Sequence, residues 1–184
     1  RISRGELGDI INVTAIMNIE YDVTKRRWLN QFDAGMMFFL GCHMVDLVHL
    51  VYGVPERITP FLKVCPDGGS TSRDSTSAVF EYPSGIAFVQ SNGNEVSGFQ
   101  RRQLVVSGTR GTYEIRPLEW QPRALLSTPV NHTVPLEFPS IGSSRYDAML
   151  LDFAAVVRGE VENRFDYDYE LDTQKMVLGA CGLL

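Results

Sequence analysis

The segment GMMFFLGCHMVDLVHLVYG, Gly35 to Gly53, sets three ionisable side chains, His43, Asp46 and His49, into an otherwise apolar run. An imidazole titrates near neutral pH, so it can take a proton from a hydroxyl group or return one. On a helix, residues three apart lie about 60° apart around the axis, so His43 shares a face with Asp46, and Asp46 with His49. His43 and His49 then diverge by about 120° and do not converge on one metal ion, for which a helix prefers histidines at i and i+4. Cys42 and His43 are adjacent and diverge too, whereas a thiolate–imidazole nucleophile needs the two in contact. What remains is acid–base work by His43, with Asp46 orienting the ring and Gly41 admitting a substrate or backbone closely. The competing reading is a histidine that packs or caps within the helix and does no chemistry.

The elements that must position these residues are legible in outline. Residues 35–52 are too long for one strand, and Phe39, Val45, Leu47, Val48, Leu50 and Val51 fit a mostly buried helix that Gly53 ends and Pro55 prevents from continuing. A β-branched, near-alternating stretch predicts a strand over 9–21. The polar stretch between them reads as a loop. It carries Arg27, suited to a carboxylate or sugar hydroxyl, and Trp28, suited to a pocket wall; both types also occur as plain surface and core-edge residues. RITPFLKVC reads as a strand, and PDGGSTSRDSTS (66–77) as a mobile, turn-rich loop able to close over a ligand. Four strands follow at short spacing as antiparallel hairpins, then a proline-spotted stretch over 120–142 with an edge strand. SSRYDAMLLDFAAVVRGE predicts a helix. Ser144 and Asp147 form a capping-box-like start, Gly159 a stop, and Tyr146, Leu150, Phe153 and Val157 one apolar face. A last helix is predicted from about residue 169 to the end. Strands flanked by helices without βαβ alternation predict one α+β domain over 1–184, an open, mostly antiparallel sheet with helices packed on one face.

Composition removes several classes of function. A net charge of −5 argues against nucleic acid as a main partner. No apolar run approaches the ~20 residues of a membrane span, and the start has no signal-peptide pattern. Three scattered cysteines without a CxxC pair predict free thiols in a reducing compartment, hence a cytoplasmic protein. No GxGxxG follows a first strand, so no dinucleotide site is expected here. SGTRGT, residues 107–112, lacks the phosphate-loop lysine and is followed by a strand, so it reads as a hairpin turn. A start without methionine and an apolar end predict a piece of a longer chain.

Taken in order, these motifs resemble the C-terminal domain of the Gfo/Idh/MocA family of NAD(P)-dependent oxidoreductases. AGMMFFLGCHMVD resembles the family's GGGxxxDxGxHxxD helix motif, with Gly35, Gly41, His43 and Asp46 at matching positions. RRWLNQFDAG resembles its tryptophan-containing loop, RGELGDIINV its entry strand, RRQLVVSGTRGTYEIRPLE its GTxGT hairpin, and YDAMLLDFAAVVRGE its late helix. The resemblance implies a fold like the C-terminal domain of dihydrodipicolinate reductase. It also implies a missing N-terminal Rossmann domain that holds most of NAD or NADP and supplies the catalytic lysine. It further implies a sugar or polyol substrate and a homo-oligomer built on the sheet face. His43 would be the acid–base partner of the reacting hydroxyl, helped by Asp46, with Arg27, Trp28 and Phe39 near the substrate. An isolated chain is then expected to be inactive. One departure matters: the motif's first aspartate is Phe39 here, and its second glycine is Met36. A phenylalanine holds no hydroxyl but packs on an apolar sugar face or a nicotinamide edge. That departure keeps two alternatives open, a non-catalytic binding or scaffold module, and an NAD-dependent, redox-assisted glycosidase or lyase.

Overall fold

The computed structural model describes residues 2–119, 122–138 and 146–184. Within them lie β1 (Ile10–Ile16), β2 (Arg57–Lys63), β3 (Ser75–Tyr82), β4 (Gly85–Asn92), β5 (Gln103–Gly108), β6 (Gly111–Ile115), β7 (Ala124–Ser127) and β8 (Leu136–Phe138). The helices are α1 (Val23–Trp28), α2 (Cys42–Tyr52), α3 (Asp147–Val157) and α4 (Tyr167–Ala180). The strands make one open sheet in the order β2-β3-β4-β1-β5-β6-β7-β8. Every pairing is antiparallel except that of β1 with β4.

Alternation drives the layering. Along β3, Thr76, Ala78, Phe80 and Tyr82 are buried and the residues between them are not. The same holds for Ala87, Val89 and Ser91 of β4. This face meets α2, through Met44, Val45 and Val48, and α4, through Met176, Val177 and Ala180. Each large apolar side chain fully withdrawn from water there contributes about 1.5–3 kcal/mol. The opposite face carries no helix among the described residues. β2 forms one edge of the sheet, with Pro60 at its middle opposite Ala78, and the three-residue β8 forms the other.

The α+β class and the open antiparallel sheet are as predicted. Four local expectations are corrected. The stretch after the first strand is not all loop: α1 forms because Asp22 caps it, its Oδ1 accepting from Lys25 N at 2.9 Å. The first strand ends at Ile16, and the chain continues beside β4 by single bonds, such as Met17 N to Gln90 O at 2.9 Å. The hairpins are not consecutive neighbours in space, because β1 inserts between β4 and β5. The 66–77 stretch is held rather than loose: Ser70, Ser72 and Asp74 are buried, and residues 75–77 already belong to β3.

The late helix appears as α3 and stops at Gly159, whose φ is 71°. Its apolar side chains, however, do not join the core. Tyr146, Leu150, Phe153 and Val157 are 53–68% exposed, and α3 buries no residue. The proposed Ser144 cap lies outside the described residues. The proline-spotted stretch holds two short strands, β7 and β8, rather than one. The last helix begins at Tyr167, with Asp166 as its cap.

Candidate active site

The chain reaches the site through a sharp turn at Gly35, whose φ of 52° suits glycine; a Cβ there would lie 2.2 Å from the carbonyl oxygen of Arg73. One π-helical turn, Met37–Gly41, then leads into α2. Such wide turns shift the side-chain register of a helix and recur at functional sites. Gly41 faces the core, not a substrate: a Cβ would meet Met37 Sδ at 2.6 Å and Ser91 Cβ at 3.5 Å, so this glycine lets the helix settle on β4.

The three ionisable residues of α2 part ways. His49 is buried, with Nδ1 2.7 Å from Thr173 Oγ1 and its ring stacked on Tyr169 at 4.2 Å. Asp46 is exposed and accepts from the Tyr169 hydroxyl at 2.9 Å, which ties it to α4 rather than to the His43 ring. His43 is exposed and makes no hydrogen bond among the described residues. Cys42 packs beneath; burial pushes its thiol pKa up, which disfavours a thiolate.

Burial first, and then the Asp46 carboxylate, push the Tyr169 phenol up to about 12. Because the folded pKa is raised, the neutral donor stabilises the fold fully below about pH 10, and that contribution is lost as pH rises through about 12. Tyr169→Phe keeps the ring stack and deletes the hydroxyl. It is expected to cost about 1 kcal/mol at neutral pH, reduced by solvent exposure, and to flatten the alkaline limb of the stability profile. Chemical denaturation between pH 7 and pH 12 measures both.

N-terminal to His43 lies an aromatic cluster drawn from three segments. Trp28 meets Phe32 at 5.3 Å and Phe39 at 5.4 Å between ring centroids, and Tyr21 meets Phe39 at 6.4 Å. Trp28 is 39% exposed and Phe38, stacked on Phe32 at 5.5 Å, is 38% exposed. Lys25 Nζ stands over these rings, 3.6 Å from the Trp28 centroid and 4.6 Å from that of Phe39. Phe39, on the turn leading to His43, is thus brought against Trp28 at the end of α1. Arg27 is turned the other way, its Nε donating to Gly69 O at 2.9 Å. Beside it, buried Arg26 binds Asp67 at 2.5 Å and Asp74 at 2.9 Å.

Lys25, Tyr169 and the Arg26 clamp were not among the predicted site residues. A sequence signal existed for α1, since Asp22 stands three residues before Lys25 at capping distance. None existed for the Tyr169–Asp46 pair, which lies 123 residues apart in the chain. A cleft of about 750 Å3 between α3 and residues 161–165 contains none of the predicted residues. No helix among the described residues is long and apolar enough to cross a membrane.

No curated protein sequence matches the chain. Solved structures do. A "putative NADPH-dependent oxidoreductase" from Desulfitobacterium hafniense superposes with a TM-score of 0.78 at 16% identity, over 98% of this chain and 56% of that one. A "putative oxidoreductase" from Erwinia carotovora atroseptica gives 0.76 at 17% identity, over 99% and 58%. One from Thermotoga maritima gives 0.74 at 16% identity, over 99% and 55%. The chain therefore spans little more than half of each of these proteins, and at such identities the likeness is one of fold. The family model for the GFO/IDH/MocA C-terminal domain matches residues 1–114, from the entry strand through the motif helix and the central hairpins. With that match over more than half its length, the chain belongs to the Gfo/Idh/MocA oxidoreductase family, as a C-terminal domain of it.

Proposed function

We propose that this domain forms the substrate-facing half of an NAD(P)-dependent oxidoreductase acting on a sugar or polyol hydroxyl, with His43 as acid–base residue. The observation that carries the reading is a contrast along α2: Asp46 and His49 are each tied to α4, while the His43 imidazole is exposed and unpartnered among the described residues. As the C–H bond of the substrate gives up hydride, negative charge builds on the adjoining oxygen. A neutral His43 accepts that oxygen's proton, and the imidazolium returns it in the reverse direction. Asp46, one turn away, is held by Tyr169 and does not set the ring's tautomer.

This chain has no glycine-rich nucleotide loop, so it offers nothing to the diphosphate end of the cofactor. What it does offer is the exposed edge of Trp28, backed by half-buried Phe39, which suits a flat ring or the apolar face of a sugar. NAD(P), held in the main by the family's nucleotide-binding domain, supplies the hydride acceptor.

The test is turnover by the full-length protein with NAD or NADP and a panel of sugars and polyols, followed by reduced-cofactor absorbance. Net reduction is the expected result. Release of free sugar without net reduction would instead assign a redox-assisted glycosidase, whereas the loss of the motif aspartate at Phe39 favours a scaffold. Cofactor binding with neither product would assign a scaffold.

We also propose that two copies stack through the helix-free sheet face. Val79, Phe88, Val105 and Leu125 stand there in one register row with Thr14 and Glu114. Sedimentation velocity is expected to show a species of at least two copies, reduced to monomer by Phe88→Glu. A monomeric wild-type profile would contradict this assembly.

A further inference from the structure

We infer that Lys25 is the anion-recognising residue of this site, and that the favoured substrate is a polyhydroxy acid bearing a carboxylate rather than a neutral sugar. The inference rests on the substrate-site reading above and narrows it. Its first support is the state of the ammonium group. Arg26 is clamped between Asp67 and Asp74, and Arg27 donates to Gly69, but the Lys25 ammonium makes no ion pair among the described residues; Asp22 is bonded to the Lys25 backbone N–H. Its second support is preorganisation. Nζ lies 3.6 Å, 4.6 Å and 5.9 Å from the ring centroids of Trp28, Phe39 and Tyr21, so one flexible side chain is held by three rings. An ammonium carries three N–H donors, and one not directed at a ring can meet a carboxylate.

The third support is the local charge. Phe39, whose ring lies 4.6 Å from the ammonium, is apolar, so it neither pairs Lys25 nor repels an anionic substrate. The nearest acid on α2, Asp46, is bonded to Tyr169. What remains around the turn that leads into α2 is a cation on an aromatic floor, with Trp28 and Phe38 exposed to receive the C–H face of a carbon chain.

The experiment titrates the protein with D-gluconate and with D-glucose, following the fluorescence of Trp28, isolated by subtracting the Trp28→Phe variant. Gluconate is expected to bind at least ~10-fold more tightly than glucose, as one charge-assisted contact provides. Lys25→Met should bring the two ligands within ~2-fold of each other, and Lys25→Arg should restore part of the preference. Phe39→Asp, which supplies Lys25 with an internal partner, should also abolish the preference, so the test does not hang on one variant. Equal binding of the two ligands to the wild type, or a gluconate preference untouched by Lys25→Met, overturns the role of Lys25 while leaving the site standing. No Trp28 response to either ligand overturns the site reading and this inference together.

Discussion

His43→Ala in the full-length protein is expected to slow turnover by ~10²–10⁴ at neutral pH, while substrate affinity changes little. The range is that of a positioned general acid–base residue, and corresponds to ~2.7–5.5 kcal/mol of transition-state stabilisation. The side chain is exposed and unpartnered among the described residues, so its removal opens no cavity and leaves no buried group unsatisfied. Stability should therefore stay within about 0.5 kcal/mol of wild type, which separates lost chemistry from lost folding. Steady-state kinetics with a parallel thermal melt decide the matter. An unchanged turnover number removes His43 from the mechanism, and a collapsed melting temperature would mean that the imidazole is structural.

The second large effect is structural and falls on the residue next to Lys25. Arg26→Met is expected to cost about 3–5 kcal/mol, because it leaves a buried carboxylate without its cation. The Asp74 side chain is 0% exposed and that of Arg26 only 4%. Asp74 also accepts from the amide of Cys65 at 2.7 Å, so the clamp holds the start of the 64–74 loop as well as its end. Urea denaturation measures the loss, and removing both charges with Arg26→Met/Asp74→Leu should recover part of it. The clamp has a pH signature as well. The Arg26 guanidinium, hydrogen-bonded to Asp67, holds that carboxyl below its ordinary value. A lowered folded pKa means stability present above about pH 4 and lost as pH falls through the folded value. The wild type should therefore weaken on acidification below about pH 4, and Arg26→Met should weaken less steeply there.

Residue pattern carried the fold wherever neighbours in sequence are neighbours in space. The alternation of Thr76, Ala78, Phe80 and Tyr82 announces a strand with one buried face, and a tight turn joins it to β4. The parallel pairing of β1 with β4 left no such trace, since it joins residues about seventy positions apart and depends on the rest of the sheet being built. α1 was missed because its residues are polar; its stability comes from the Asp22 cap and from bonds to a loop some forty residues away. The apolar periodicity of α3 announced a helix but not that its apolar face stays exposed, because periodicity records that a face is apolar and not what covers it. For the proposed site, residue type offered His43, Trp28 and Phe39 as candidates. It did not reveal that His49 is anchored and His43 free, nor that Lys25 sits among three rings, because these are facts about which segments meet.

The proline at the centre of β2 bears on how this molecule avoids self-templating. An outermost strand is a place where a foreign strand can dock by backbone hydrogen bonds, the first step towards fibrils. Pro60 has no N–H to contribute to such a ladder, charged Arg57 and Lys63 flank it, and at the far margin β8 is only three residues long. Lateral growth is thus discouraged on both sides, so the proposed broadside pairing need not extend into a polymer.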